Sequence, residues 1–521
     1  MTTQDLTSAA IALLVALVLY QIAIVIQRLY FHPLSAFPGP RLAAATYIPE
    51  IYYDIFEGEG GQLPFALQRW HKSYGPIIRI NPQELHVQDS SWYETLYAPS
   101  RPVRKLPNWG HRMKAMESAL GASDATTYRK RRTALNPFFT KRKIAEFAPS
   151  VQQVCDRIVS RLEREYRGTG RVLNITRAWE CMASDIATLS VFGQDPRSVD
   201  SPGFCSPTNR ATESLVEPIK WFTHLSIIPT LIDRLPEWIV TALMPPAELI
   251  LRQLSKVSSR SSDISQVMEL AVVEARAAHS DGKGNDHSLI GSLLQQDLPP
   301  EEATLPHFTQ EAVIVVGAGG ETVARTMTLA TFHVLDNPAV QKRLVEELNT
   351  AIPDAAEMPD WNVLSALPYL SACIEESLRL TYGVCEKRSR AYDGGDLMYG
   401  EWRIPAGTFV GMSNYDVSHD EEIFPDSFSF IPERWLGDPR APNGKALSRY
   451  NVSFGKGMRS CVGMQLAYLE LYLGVATFFR SRLASKARLY ETNKSDVEMA
   501  RDCFVPRAAK KSKGVRVIFE S

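Results

Sequence analysis

Cysteine is scarce and poorly placed for pairing. The 521-residue chain holds seven, Cys155, Cys181, Cys205, Cys373, Cys385, Cys461 and Cys503, an odd number with no CxxC spacing. That pattern argues against a disulfide framework and a zinc ribbon, and suits a reducing compartment. An excess of either charge is missing as well: 57 Lys and Arg face 58 Asp and Glu, a net charge of −1. Nothing in that balance favours a polyanion, so nucleic acid is excluded as the expected partner. No internal repeat is present. With 45% hydrophobic residues the chain has ample material for a large core.

Basic residues are also missing ahead of the longest apolar run. Ala9 to Ile26 is interrupted only by Tyr20 and Gln21. As a helix this run spans roughly 27 Å, about the hydrocarbon thickness of a bilayer. Arg28 and Arg41 follow it, so the positive-inside rule puts the N-terminus outside and the bulk of the chain in the cytosol. A cleaved leader is disfavoured, because the run exceeds the usual ~7–15 apolar residues and has no basic start. The proline-rich stretch from His32 to Arg41 reads as a stiff hinge. The expected division is a membrane anchor, 1–30, and a single large body, 31–521.

Strand signals are few. Short β-prone runs occur near Ile77–Ile80, Leu85–Val87, Phe409–Met412 and Val515–Phe519. Helical patterns dominate elsewhere, which predicts a mainly α fold with a small β portion. The Ser-, Gly- and Pro-rich stretch from Arg252 to Pro306 reads as exposed loops around one helix near Ile264 to Ala278, and Pro442 to Lys445 as another loop. A long helix is expected from Phe308 to Asp336, stopped by Asn337-Pro338. Its centre, VIVVGAGGETVART, is apolar on all sides and therefore buried. Each of its three glycines costs about 1 kcal/mol relative to alanine, which implies a kink or something lying against the backbone. A second helix starts near Pro368, with Glu376 and Arg379 on one face.

The segment Phe454 to Gly463, FGKGMRSCVG, sets Cys461 among Gly455, Gly457 and Gly463, just ahead of an amphipathic helix. A thiolate is a soft, strong ligand for iron, favoured near a helix N-terminus, where backbone N–H groups can bond the sulfur. Glycines let such a loop pass close under a flat cofactor. Arg459 could pair with a carboxylate. A lone buried core cysteine is the plain alternative.

Phe454, Gly457, Arg459, Cys461 and Gly463 match every fixed position of FxxGxRxCxG, and the chain thereby resembles the cytochrome P450 family. With near-uniform residue usage, chance would give this match at about 10⁻⁴. Glu376 and Arg379 are similar to the family's ExxR pair, and Arg434 in FIPERW to its third partner, a structural triad. AGGET, Ala318 to Thr322, resembles the oxygen-activation motif, which implies proton delivery by Glu321 and Thr322. YRKRRTALNPFF resembles the helix that crosses the haem edge, with Tyr128 in place of the usual Trp or His and Arg132 as propionate-binding cation. Arg390 resembles another propionate contact. Two positions depart from the family: Val323, where Thr or Ser is common, and Glu386-Lys387 in a substrate-facing loop that is usually apolar.

The resemblance, which covers nearly the whole chain, implies a cytochrome P450 fold behind one transmembrane helix. It implies haem b on Cys461, with Arg459, Arg132, Arg390, Tyr128, Phe454 and Gly455 around it. It implies an endoplasmic reticulum enzyme with a cytosolic body, fed by an NADPH-dependent P450 reductase, with cytochrome b5 as a second donor. Val313 to Val316 are expected to face a lipophilic substrate. The basic residues between Arg101 and Lys143 could steer an acidic electron donor. The wording of TYGVCEKRSR and RYNVSFGKGMRSC is similar to fungal members of the trichodiene-oxygenase kind, which act in secondary metabolism. The alternatives are a haem-thiolate isomerase or dehydratase working without dioxygen, and a membrane-tethered haem carrier.

Overall fold

A computed structural model describes residues 3–107, 109–113, 115–206, 219–225, 265–284 and 287–520. The apolar N-terminal run forms α1 (Thr3–Ile26). Among the described residues, Asp5–Phe31 is the one helical stretch long and apolar enough to cross a membrane, and its most apolar window is wholly unburied. Beyond Ile26 the chain turns onto the body. Arg28 Nη1 donates to Ala45 O at 2.8 Å, and Arg79 Nη1 donates to Arg28 O at 2.8 Å.

The body is mainly helical, with α2 (Ala125–Leu135), α3 (Lys141–Tyr166), α4 (Ile175–Phe192), α5 (Ile219–Leu225), α6 (Leu305–Asp336), α7 (Pro368–Thr381) and α8 (Met464–Arg480) as the elements that build the site. Their starts are chemically marked. Asp124 accepts from Thr127 N, Asn174 from Arg177 N and Thr304 from His307 N. The cap at Thr304, with Pro306 just inside, starts the long helix three residues before the expected Phe308. Residues 265–280 are helical, near the expected place, while 252–264 lie outside the described residues. The same stretch also carries a short helix, Leu289–Leu294, that its composition did not announce.

Strands are short. The largest sheet has β1 (Ile77–Asn81), β2 (Glu84–Val87), β3 (Val103–Arg104), β4 (Arg390–Tyr392) and β5 (Phe409–Gly411) in the order β1-β2-β5-β4-β3. Only β2 and β5 run parallel. Arg516–Phe519 pairs with Leu173–Asn174 and Ala487–Leu489, and Arg501–Cys503 pairs with Val505–Arg507 in a hairpin turning at Phe504.

The main core lies between α3, α4, α6, α7 and α8, with Trp179, Phe332, Phe478 and Phe479 fully buried. The α6 glycines do not break the helix, which is continuous from 305 to 336. They allow a close approach. A Cβ on Gly320 would meet Ser184 Oγ at 2.9 Å, and one on Gly319 would meet the Ala187 methyl at 3.1 Å, both on α4.

Candidate active site

The segment ahead of α8 folds back on itself, with Cys461 N donating to Phe454 O at 2.9 Å. Gly455 and Gly457 sit at φ of 64° and 75°, and a side chain at Gly457 would strike the Tyr97 carbonyl. Ser453 Oγ donates to Leu378 O at 2.6 Å, fastening the loop to α7. Cys461 is surrounded by protein atoms yet accessible to solvent through the cavity it lines. Burial raises its thiol above the ordinary value, against the Gly463 N–H and the charges of Arg132 and Arg388.

The cavity is large, about 660 Å³. Val313, Ile314, Val315 and Gly317 of α6 line it. Val316, expected beside them, packs into the core, because helical spacing turns it to the other side. Glu321 and Thr322 line the same cavity as Cys461. Thr322 Oγ1 donates to Ala318 O at 2.8 Å, and Arg507 Nη1 lies 3.0 Å from Glu321 Oε1.

The cavity wall carries cations that, among the described residues, have no carboxylate in ion-pair contact. Lys105, Arg132, Arg388, Arg390 and Arg459 line it, and among the described residues none pairs with a carboxylate. They donate to backbone carbonyls: Lys105 to Leu120 O at 2.6 Å, Arg132 to Ser460 O at 2.7 Å, Arg390 to Ser389 O at 2.8 Å and Arg459 to Ala122 O at 2.7 Å. Burial, then repulsion from Arg390, pulls Arg459 down to about 9, and Lys105 is lowered for the same two reasons. The Tyr128 ring lies under Arg459, with its centroid 4.2 Å from the guanidinium carbon. Such a cluster is set to receive anionic groups.

A buried triad braces this floor. Glu376 receives Arg379 in two bonds of 2.8 Å, Arg434 Nε at 3.0 Å, Trp435 Nε1 at 2.9 Å and Ile431 N at 2.9 Å. Arg379 also donates to the carbonyls of Ser418, Ser427 and Ser429.

The family description Cytochrome P450 matches residues 48–482, most of the chain. The chain is a cytochrome P450. Fungal relatives align with it from end to end. Cytochrome P450 monooxygenase orf4 of Eupenicillium brefeldianum is 38% identical over 506 residues, 96% of each chain. Cytochrome P450 monooxygenase sdnE of Sordaria araneosa is 37% identical over 97% of this chain and 96% of its own. Fusicoccadiene C-8 hydroxylase of Alternaria brassicicola is 34% identical over 99% of this chain and 98% of its own. This P450 is thus a monooxygenase of the fungal secondary-metabolite group, and the family binds haem through a cysteine thiolate.

The residues of this P450 fit that cofactor: a cysteine opens on the cavity, glycines clear the loop beneath it, and unpaired cations suit two propionates. Cys461, Arg459, Arg132, Arg390, Tyr128, Glu321 and Thr322, all expected from the sequence, line the same cavity, as does Phe454. Gly455 stands just outside, against the Arg388 guanidinium. Lys105 and Arg388 carry no such signal of their own. Lys105 lay hidden in a basic run, and Arg388 was masked by the expected contact at Arg390 two residues on. Lys387 also lines the cavity, but its ammonium pairs with Glu50 and Glu84, at 2.8 and 3.1 Å.

Proposed function

We propose that Cys461 is the thiolate holding haem b, and that this P450 is a membrane-bound enzyme inserting one oxygen atom from O2 into a lipophilic substrate of the terpenoid or polyketide kind. The observation that carries the reading is the convergence of Cys461, the unpaired cations and the Glu321-Thr322 pair on one largely apolar cavity. A relative named for hydroxylating fusicoccadiene supports the lipophilic substrate.

Haem bound through a thiolate supplies O2 activation and oxygen transfer to a C–H bond. The chain's own groups surround that chemistry. Arg132, Arg390 and Arg459, joined by Lys105, would take the propionates, with Tyr128 as a further polar contact. Phe454 and Gly455 shape the loop that would hold the haem. Thr322 Oγ1 spends its own proton on Ala318 O, so its lone pairs hold a water in the cavity. Glu321, fixed at one oxygen by Arg507, passes protons to that water from its other oxygen.

Electrons come from an NADPH-dependent P450 reductase, with cytochrome b5 as a second donor. Arg129, Lys141 and Arg142, exposed on α2 and α3, offer an acidic protein a docking face. The anchor, 1–30, crosses the endoplasmic reticulum membrane once and leaves the body, 31–521, in the cytosol, with Arg28 as the joint. Microsomes carrying this chain and a reductase are expected to turn a diterpene panel into products labelled from oxygen-18 gas, only with NADPH. Product without NADPH or without label would favour a dioxygen-independent isomerase instead.

A further inference from the structure

The loop after α7 breaks an apolar pattern with Glu386, and the chemistry above leaves that carboxylate unused. It is 8% exposed and lines the cavity. Among the described residues its two hydrogen bonds both come from Arg112, Nη1 to Oε1 at 2.7 Å and Nη2 to Oε2 at 2.5 Å. An ionised carboxylate offers about four lone-pair sites, so half its capacity is unfilled. Burial alone would raise this carboxyl, but Arg112, with the charges of Lys220 and Lys387, outweighs it and holds it down at about 2, anionic throughout the physiological range.

Arg112 is itself firmly built in. Its guanidinium stacks on Trp109 at 4.5 Å and stands 5.5 Å from Phe504 at the hairpin turn, and Nη1 reaches Thr223 Oγ1 on α5 at 3.3 Å. Four separated segments that wall the cavity therefore converge on this pair. A buried ion pair contributes little net stability, because desolvation offsets the attraction. A charge pair in the wall of a cavity for lipophiles is better explained by what it binds.

We propose that Glu386, held by Arg112, accepts a hydrogen bond from a hydroxyl group of the substrate, so that this P450 acts on an already oxygenated lipophile. The proposal rests on the monooxygenase reading and narrows its substrate class. A hydroxyl can donate to the carboxylate. A ketone of the same skeleton cannot, a hydrocarbon leaves the site unfilled, and a carboxylic acid is repelled in its ionised form. The reaction that supplies such a substrate is an earlier hydroxylation, or a cyclisation ended by capture of water.

The test is a spin-state spectral titration of the haem-loaded full chain in nanodiscs. The probes are positional alcohols of a tricyclic diterpene, the matching ketones and the parent hydrocarbon. One alcohol is expected to bind roughly tenfold or more tighter than its ketone and the hydrocarbon. In the Arg112→Met/Glu386→Leu double variant, which leaves no charge unpaired, that preference is expected to vanish while the reduced carbon monoxide spectrum stays intact. An unchanged preference in the double variant, or none in the native protein alongside NADPH-dependent turnover of the hydrocarbon, overturns the proposal alone. Absence of NADPH-dependent product from every probe overturns the monooxygenase reading and this proposal with it.

Discussion

Arg507 Nη1 lies 3.0 Å from Glu321 Oε1, so the C-terminal hairpin reaches the middle of the longest described helix. The two residues stand 186 positions apart in sequence, and the contact fixes a cavity-lining carboxylate beside Thr322. Arg507→Met is expected to lower the product formed per NADPH, as a positioning residue would. Thr322→Ala is expected to lower it further, since positioned proton transfer is typically worth about 10²–10⁴ in rate. Hydrogen peroxide assayed beside product and NADPH checks both. Unchanged coupling in Thr322→Ala would remove it from proton delivery.

Arg379 and Arg434 both serve Glu376, but unequally. Arg379 is fully buried and gives Glu376 two bonds, while Arg434 gives one from the edge of the cluster. Arg379→Leu leaves a buried carboxylate half-partnered, a loss of about 3–5 kcal/mol. Little haem-loaded protein is expected from that variant. Arg434→Leu is expected to be milder, because Trp435 Nε1 and Ile431 N still hold Glu376. Haem content and thermal unfolding of the two variants give the comparison, and equal loss would contradict it.

Three positions match the glycosylation sequon, Asn174, Asn451 and Asn493, and each side chain is already engaged. Asn174 caps α4 and donates to Lys513 O, Asn451 donates to Glu375 Oε2 at 2.6 Å, and Asn493 closes a capping box. A cytosolic body should carry no sugar on any of them. Treatment with an endoglycosidase should leave the mass unchanged. A removable mass shift would reverse the topology.

Glu311 on α6 lines the cavity at 1% exposure and accepts from Ala119 N at 2.5 Å. Burial raises its carboxyl to about 7, more than the Ala119 N–H lowers it. The folded state keeps a proton that the unfolded chain releases above 4.5, so stability falls as pH rises from there through about 7. Glu311→Gln stays neutral throughout. Relative to the native protein it should gain up to about 3 kcal/mol between pH 5 and pH 8. Unfolding midpoints across that range measure the gain, and a pH-independent difference would contradict it.

Much of this was legible because it is local. Cys461, Gly457 and Arg459 share one loop of fixed spacing, and Glu376 and Arg379 share one turn of α7. What escaped depends on distance or on brevity. Arg112–Glu386 and Arg507–Glu321 join residues 274 and 186 positions apart, and no period announces such pairs. Val103–Arg104 and Leu173–Asn174 are two-residue strands, too short for alternation to appear. The α6 glycines imply a kink or a close neighbour, and the neighbour, α4, is far off in sequence. Val316 misled because an all-apolar stretch does not tell cavity from core.

The central claim is that Cys461 is the iron's thiolate ligand. The reduced carbon monoxide spectrum of the purified Cys461→Ser variant tests it most directly, with Cys155→Ser as the control from the buried core. The account predicts that the red-shifted thiolate band is lost in Cys461→Ser and retained in Cys155→Ser. A thiolate-type spectrum persisting in Cys461→Ser would contradict it.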